Sequence, residues 1–175
     1  MLTTIGAKAG AEDLTSLLLE CHHRIRGFSA LAEDVGRRVD LPEADVTAAS
    51  DRCARYFSQA LPLHVADEQE SLLPRLRGRS AEIDGALLAM HAEHDDHRPH
   101  LKALVESLNA VKASPLDGSL RSKLLAIAVP LRAALEKHLA MEERVLFPSI
   151  GSALSPEVQA QAVAELRARR KPGPR

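Results

Sequence analysis

His64-Val-Ala-Asp-Glu68 followed by Leu72-Leu73-Pro74, and His138-Leu-Ala-Met-Glu142 followed by Leu146-Phe147-Pro148, state one motif twice, with His, Ala, Glu, Leu and Pro in the same order and spacing. On an α-helix, residues i and i+4 stand one above the other on a single face. Each copy therefore presents an imidazole and a carboxylate to the same point, a donor pair that non-haem iron, manganese and zinc accept. Apolar residues continue each face, with Phe57, Leu61 and Leu72 around the first copy and Leu131, Val145 and Leu146 around the second. Two carboxylates on apolar faces require a cation, because burying an unpaired charge is costly. If the pairs were merely surface contacts worth a few tenths of a kcal/mol, the apolar flanks would have no explanation.

Outward from the motif, apolar residues recur at three- and four-residue spacing along nearly the whole chain, strand-like alternation is absent and aromatic content is 2%. The chain is predicted to be all-α. The first helix runs over about 13–38, with Leu14, Leu18, Cys21, Ile25, Phe28 and Ala32 on its buried stripe. A second starts at Pro42 and continues to about 77, a third spans about 81–112 and a fourth about 120–147. Ser155-Pro156-Glu157 is an N-cap, a proline in the first turn and an acid against the dipole, and opens a short fifth helix ending near 170. Prolines 62, 99 and 130 fall inside the predicted helices and are expected to bend or break them. Short connections favour an up-and-down antiparallel four-helix bundle over residues 11–150, with the fifth helix (155–170) packed on or beside it and 171–175 as a tail.

Antiparallel neighbours place ligands at one height only if they lie equally far from the turn that joins them. At about 1.5 Å per residue, His22 and His64 lie roughly 25 and 31 Å from the first turn, His64 and His94 roughly 18 and 20 Å from the second, and His94 and His138 roughly 28 Å each from the third. One histidine per helix thus reaches a common level. In the pair His22-His23, His22 is in phase with Leu18 and Ile25 and faces inward, leaving His23 to solvent. On the third helix His91, His94, His97 and His100 step around the axis. His94 is in phase with Leu87, Leu101 and Leu108, His97 and His91 compete as an additional ligand, and His100 is a surface residue. Glu143 is a reserve for Glu142 should the fourth helix be rotated. Tyr56, two turns before His64, is either a hydrogen-bond donor near the metal or a packed core residue. Asp67, Gln69, Glu93, Asp95 and Asp96 fall off the apolar stripes and are expected on solvated faces.

The 175 residues carry 23 basic and 24 acidic side chains and a net charge of −1, and 45% are hydrophobic. That is enough for one ordinary core and offers no field to hold a polyanion, so a nucleic-acid partner is not expected. No apolar run approaches a membrane span and no export signal opens the chain, so a cytoplasmic location without membrane attachment is expected. Cys21 and Cys53 are too few for a disulfide scaffold and are expected to be reduced, buried thiols.

His22, His64-x-x-x-Glu68, His94 and His138-x-x-x-Glu142 on four helices resemble the bacterial hemerythrin-like proteins, the hemerythrin HHE cation-binding domain. Glu-Glu-x-x-Leu-Phe-Pro at 142–148 and Ala-Glu-His at 92–94 are similar to that family's fourth- and third-helix signatures. The resemblance implies a non-haem di-iron centre, oxo- or hydroxo-bridged, with Glu68 and Glu142 spanning both irons and histidines completing the shells. Oxygen-carrying members have His-x-x-x-His on the third helix and His-x-x-x-x-Asp on the fourth. Here Arg98 follows His94 by four and a glutamate stands at i+4, which argues against reversible oxygen carriage and leaves metal binding intact. Either a single third-helix histidine or a shell that includes His97 fits this pattern.

Four histidines and two bridging acids are too few donors to saturate two irons, and open positions favour chemistry on a small oxygen species: dioxygen, peroxide or nitric oxide. Peroxide decomposition is one form of that chemistry. The alternative is an iron- or oxygen-responsive module without turnover. A purely structural bundle would leave two buried acids unexplained.

Overall fold

The computed structural model describes residues 13–171; positions 11 and 12 of the predicted bundle and the tail beyond 171 lie outside the described residues. The described residues form five helices and no strand. They are α1 (Leu14–Arg37), α2 (43–76), α3 (Ala81–Ala113), α4 (118–153) and α5 (Pro156–Arg169). Short polar residues start most of them. Asp13 accepts from the Ser16 N–H, Ser80 from Ile83, Asp117 from Ser119 and Leu120, and Ser155 from Val158, each satisfying N–H groups that the helix leaves unpaired. After α2, Gly78 takes φ 79°, a conformation that costs glycine little, and its N–H is bonded to Asp84 Oδ1 at 2.7 Å.

Cross-helix contacts fix the directions. Moving up α1, His22 meets Glu143, Arg26 meets Glu136, Glu33 meets Arg132 and Val35 meets Arg121, so α1 and α4 are antiparallel. Asp51 with Lys112 and Gln69 with His94 orient α2 against α3 in the same way. The fifth helix lies along α2 with Glu165 on Ser71 and Arg75, and Arg169 and Arg170 on Asp67. The apolar interior falls into two clusters. One, around Ile25, Leu61, Leu104 and Leu135, fills the end bearing the α1/α2 and α3/α4 turns; the other, around Leu18, Leu72, Met90, Leu146 and Phe147, fills the opposite end and takes in α5. The buried histidines, with Glu68 and Glu142, occupy the layer between them.

The prolines behave in two ways. Pro99 and Pro130 lie inside continuous α-helix at exposed positions, so of the two expected outcomes, bend or break, neither helix breaks. Water can serve the carbonyls they leave without a partner, because Asp95 and Ala126, four residues earlier, are exposed too. Pro62, by contrast, follows a π-helical turn, as do Pro74 and Pro148. The turns cover Tyr56–Ala60, Asp67–Leu72 and Glu142–Leu146, and the residue before each proline bonds five residues back, Leu61 to Tyr56, Leu73 to Glu68 and Phe147 to Glu142. A wider turn relieves the clash between the proline ring and the preceding turn. The last of them carries α4 past its expected end at 147 to Ala153.

Where α1 meets α4 the backbones approach closely at Gly36. A Cβ there would stand 3.0 Å from Leu125 Cβ and N and 3.1 Å from the Arg121 carbonyl. Buried Arg121 also donates to the Val35 and Arg38 carbonyls, tying the two helices at that point. Gly36→Ala is therefore expected to cost about 1–3 kcal/mol through overpacking, measured as a lowered urea midpoint with unchanged slope.

Candidate metal centre

Six side chains meet at mid-height. His22 comes from α1, His64 and Glu68 from α2, His94 from α3, and His138 and Glu142 from α4; none is more than 8% exposed and both glutamates are 0% exposed. Each His-Glu pair straddles the junction where α-helix gives way to a π turn. Both carboxylates thus belong to turns wider than the α-helix, a feature that recurs at functional sites.

The two carboxylates divide their oxygens between two pairs of imidazoles. Glu68 Oε1 lies 2.9 Å from His64 Nε2 and 4.0 Å from His22 Nε2, while its Oε2 lies 3.2 Å from His94 Nε2. Glu142 Oε2 lies 3.1 Å from His22 Nε2 and its Oε1 3.3 Å from His138 Nε2. Two overlapping sets of four donors result, His22, His64, Glu68 and Glu142, and Glu68, His94, His138 and Glu142, each with its ligand atoms within 4.8 Å of one another. Within each set the imidazoles pack edge to face, with ring centroids 5.2 Å apart for His22–His64 and 4.8 Å for His94–His138.

These atoms are close but poorly satisfied. All four carboxylate oxygens, His22 Nε2 and both His64 nitrogens are buried without a properly aligned hydrogen bond, a state that native interiors avoid. Burial pushes the Glu142 carboxyl up to about 7, and the neighbouring Glu68 charge adds to the rise. Glu68 itself is held well below the usual carboxylate range, because His64 and contacts with His22 and His94 outweigh its burial. Cations placed among the Nε2 and Oε atoms would satisfy all of these atoms except His64 Nδ1, so the residues present fit a pair of metal ions.

Behind the imidazoles stand groups that fix which nitrogen faces inward. His22 Nδ1 donates to Glu143 Oε1 at 2.8 Å, and Arg26 holds that carboxylate in place. His138 Nδ1 donates to Glu93 Oε2 at 2.7 Å. The Gln69 amide nitrogen lies 3.3 Å from His94 Nδ1 and 3.1 Å from His91 Nδ1; the amide turned over, with oxygen and nitrogen exchanged, would accept the His94 N–H instead. A proton kept on Nδ1 leaves the Nε2 lone pair free for a metal. The half-buried Cys21 thiol sits against His64; burial raises its pKa, but His64, Arg170 and Arg24 outweigh that and hold it below the ordinary thiol value.

Of the remaining candidates, His97 is buried and 5.5 Å ring to ring from His138, its Nδ1 has no partner, and it belongs to neither set of four. His91 is exposed beside Gln69, and His23 and His100 are exposed as expected. Glu143 stands behind His22 rather than in place of Glu142. Tyr56 is stacked on Phe28 at 4.1 Å and meets Phe57 edge to face. Three expectations of solvated faces need correction. Asp67 is 0% exposed, with Arg169 at 2.9 Å and Arg170 at 2.6 Å on its two oxygens, and Glu93 and Gln69 are the partners just described. Apolar phase alone misses them, because Asp67 faces the added helix α5 and Glu93 lies at the α3/α4 seam. The complementary Arg169-Arg170 pair and the acid immediately before His94 are the only signals in the sequence. Cys53 is buried as expected, whereas Cys21 is only half-buried.

A search of curated proteins gives no significant match. The profile of the hemerythrin HHE cation binding domain matches residues 13–147, a span that holds all six convergent side chains and most of the chain. With its paired His-x-x-x-Glu motifs converging in a helical bundle, the chain belongs to the hemerythrin HHE cation-binding family.

Proposed function

We propose that this protein is a non-haem di-iron protein that binds or consumes a small oxygen species. The observation that carries this reading is the division of the Glu68 and Glu142 oxygens between the two histidine pairs, since a carboxylate facing one metal only has no need of it. His22, His64, Glu68 Oε1 and Glu142 Oε2 would hold one ion, and His94, His138, Glu68 Oε2 and Glu142 Oε1 the other. Four protein donors per ion fall short of six, which leaves room for an exogenous ligand. Iron is the metal the family resemblance implies, and the same donors admit manganese or zinc. Bound iron would supply Lewis acidity and electrons to the oxygen species.

The chain's own contribution is positional. Glu143 and Glu93 keep protons on His22 Nδ1 and His138 Nδ1, the two apolar clusters exclude water, and His97 offers a buried imidazole beside His138. Elemental analysis of the purified protein is expected to give about two iron atoms per chain, with an optical band that changes on exposure to dioxygen or peroxide. Gas evolution from peroxide that disappears in His64→Ala and Glu142→Ala would assign turnover. Two irons with reversible spectral change and no turnover would assign the responsive module, and a chain that takes up no metal refutes the reading.

A further inference from the structure

On the side of the carboxylates that faces the α1/α2 and α3/α4 turns lies a void of about 30 Å³. His64, His94, His97 and His138 line it together with aliphatic side chains from all four bundle helices, among them Leu61, Val65 and Leu101. About 10–15 Å³ of such space holds one water molecule, so the void has room for a molecule of two heavy atoms. A second cavity, of about 550 Å³, opens to solvent between α2 and α3, with Phe57 and Val105 on its walls and Arg98, Lys102 and Glu106 around it. The side chains of those three charged residues are at least 67% exposed, so they ring the opening rather than its floor. Leu61, Val65, His94 and Leu101 line both cavities. Only the thickness of these side chains separates the outer groove from the void, and rotamer changes of aliphatic side chains are fast.

We propose that this groove is the entry route for an uncharged diatomic molecule, dioxygen or nitric oxide, that Leu61, Val65 and Leu101 form its gate, and that it delivers its cargo to the His94/His138 half of the centre; the delivery step rests on the di-iron reading above. Size and polarity argue together. The void accepts two heavy atoms and excludes organic substrates. An anion would have to shed its hydration at a constriction of three aliphatic side chains, a cost that an apolar gas does not meet. Within the void the environment changes, because buried His97, whose Nδ1 has no partner, lines it beside His94 and His138. On the opposite side the His22 ring packs against Phe147 with centroids 4.8 Å apart, where the apolar cluster of that end begins. A smaller cavity of about 100 Å³ between α1 and α4 shares Ile25, Leu135 and Leu139 with the void but is lined by Arg26, Arg132 and Glu136. The apolar α2/α3 groove is therefore the approach that suits an uncharged molecule, and its gate selects by charge and size.

The route can be tested without metal. In the metal-free protein under dioxygen pressure, paramagnetic relaxation of methyl protons is expected to be largest at Leu61, Val65 and Leu101 and to fall sharply at Leu101 in Val65→Phe. Uniform enhancement over the surface methyls, or an unchanged pattern in the variant, overturns the proposal. In the iron-loaded, reduced protein, Val65→Phe and Leu101→Phe are expected to slow nitric oxide association at least tenfold at unchanged iron content, and Val65→Ala to speed it severalfold. Should the phenylalanine variants fail to fold, the alanine variant alone decides, and a rate equal to that of the unaltered protein refutes the gate. Failure to bind iron would sink the di-iron reading while the dioxygen relaxation pattern still reports on the route. Iron binding with nitric oxide rates indifferent to all three substitutions would sink the route alone.

Discussion

Glu68→Ala is expected to strip both metal ions from the protein, whereas His22→Ala is expected to weaken one and spare the other. The asymmetry follows from geometry. Glu68 reaches His64 through Oε1 and His94 through Oε2, so its removal takes a donor from both sets of four, while His22 belongs to one set. Loss of a group that merely orients a ligand lowers metal affinity roughly 10–100-fold; loss of a shared ligand is expected to exceed that for both ions. Glu93→Ala, which removes only the acceptor behind His138, provides the comparison within that range. Metal content per chain after dialysis against a graded chelator measures all three. Equal losses in Glu68→Ala and His22→Ala would show that the carboxylate does not bridge.

Removing the metal is expected to lower the melting temperature by roughly 10 °C, and the gap to widen as pH rises. One ion at 1,000-fold excess over its Kd contributes about 4 kcal/mol, and about 1 kcal/mol moves the midpoint of a protein this size by roughly 2–4 °C. The pH dependence comes from the same side chains. In the metal-free protein burial and Glu68 raise Glu142 from 4.5 to about 7. His22 rises from 6.5 to about 9, because burial opposes its charge but bonds to Glu142 and Glu68 outweigh that. A group whose folded pKa exceeds its unfolded value stabilises the fold below the unfolded value, and that contribution is lost as pH climbs through the folded one. Glu142 therefore loses its contribution between about 4.5 and 7, and His22 between about 6.5 and 9. Glu68, held well below 4.5, loses its contribution only in more acidic solution. Metal-free stability thus declines from pH 5 to 9. Metal competes with these protons and binds more tightly over the same interval. Calorimetric scans with and without chelator at pH 5, 7 and 9 measure the gap, and a gap that narrows toward pH 9 contradicts the assignment.

Much of this was legible in the sequence because the two signals that mattered were periodic. Three- and four-residue apolar spacing gives the helices, and equal distances from the turns bring His22, His64, His94 and His138 to one level. Periodicity fails where a residue answers to something other than the bundle axis. Asp67 falls out of phase with the core, yet it is fully buried because α5 brings Arg169 and Arg170 onto it. Glu93 and Gln69 meet the backs of imidazoles, a contact that depends on side-chain reach across a seam. The π turns were illegible for a related reason. A turn of this kind shows in sequence only as a proline two residues after it ends, and Pro99 and Pro130 are equally visible but have no such turn before them. Exposure does not separate the two groups, since Pro62, Pro74 and Pro148, and the residues four before each, are exposed as well.

The oily interior of this molecule is interrupted at its waist. Greasy contacts knit each end together, but what spans the middle is a slab of acids and imidazoles whose cohesion depends on positive charge lodged among them. Drained of its ions, such a body has two hydrophobic lobes and a weak girdle, so amide exchange would quicken first in the turns carrying Glu68 and Glu142 while Leu18 and Leu104, one in each lobe, stayed protected. The metal would then act as the rivet that makes one cooperative unit of two.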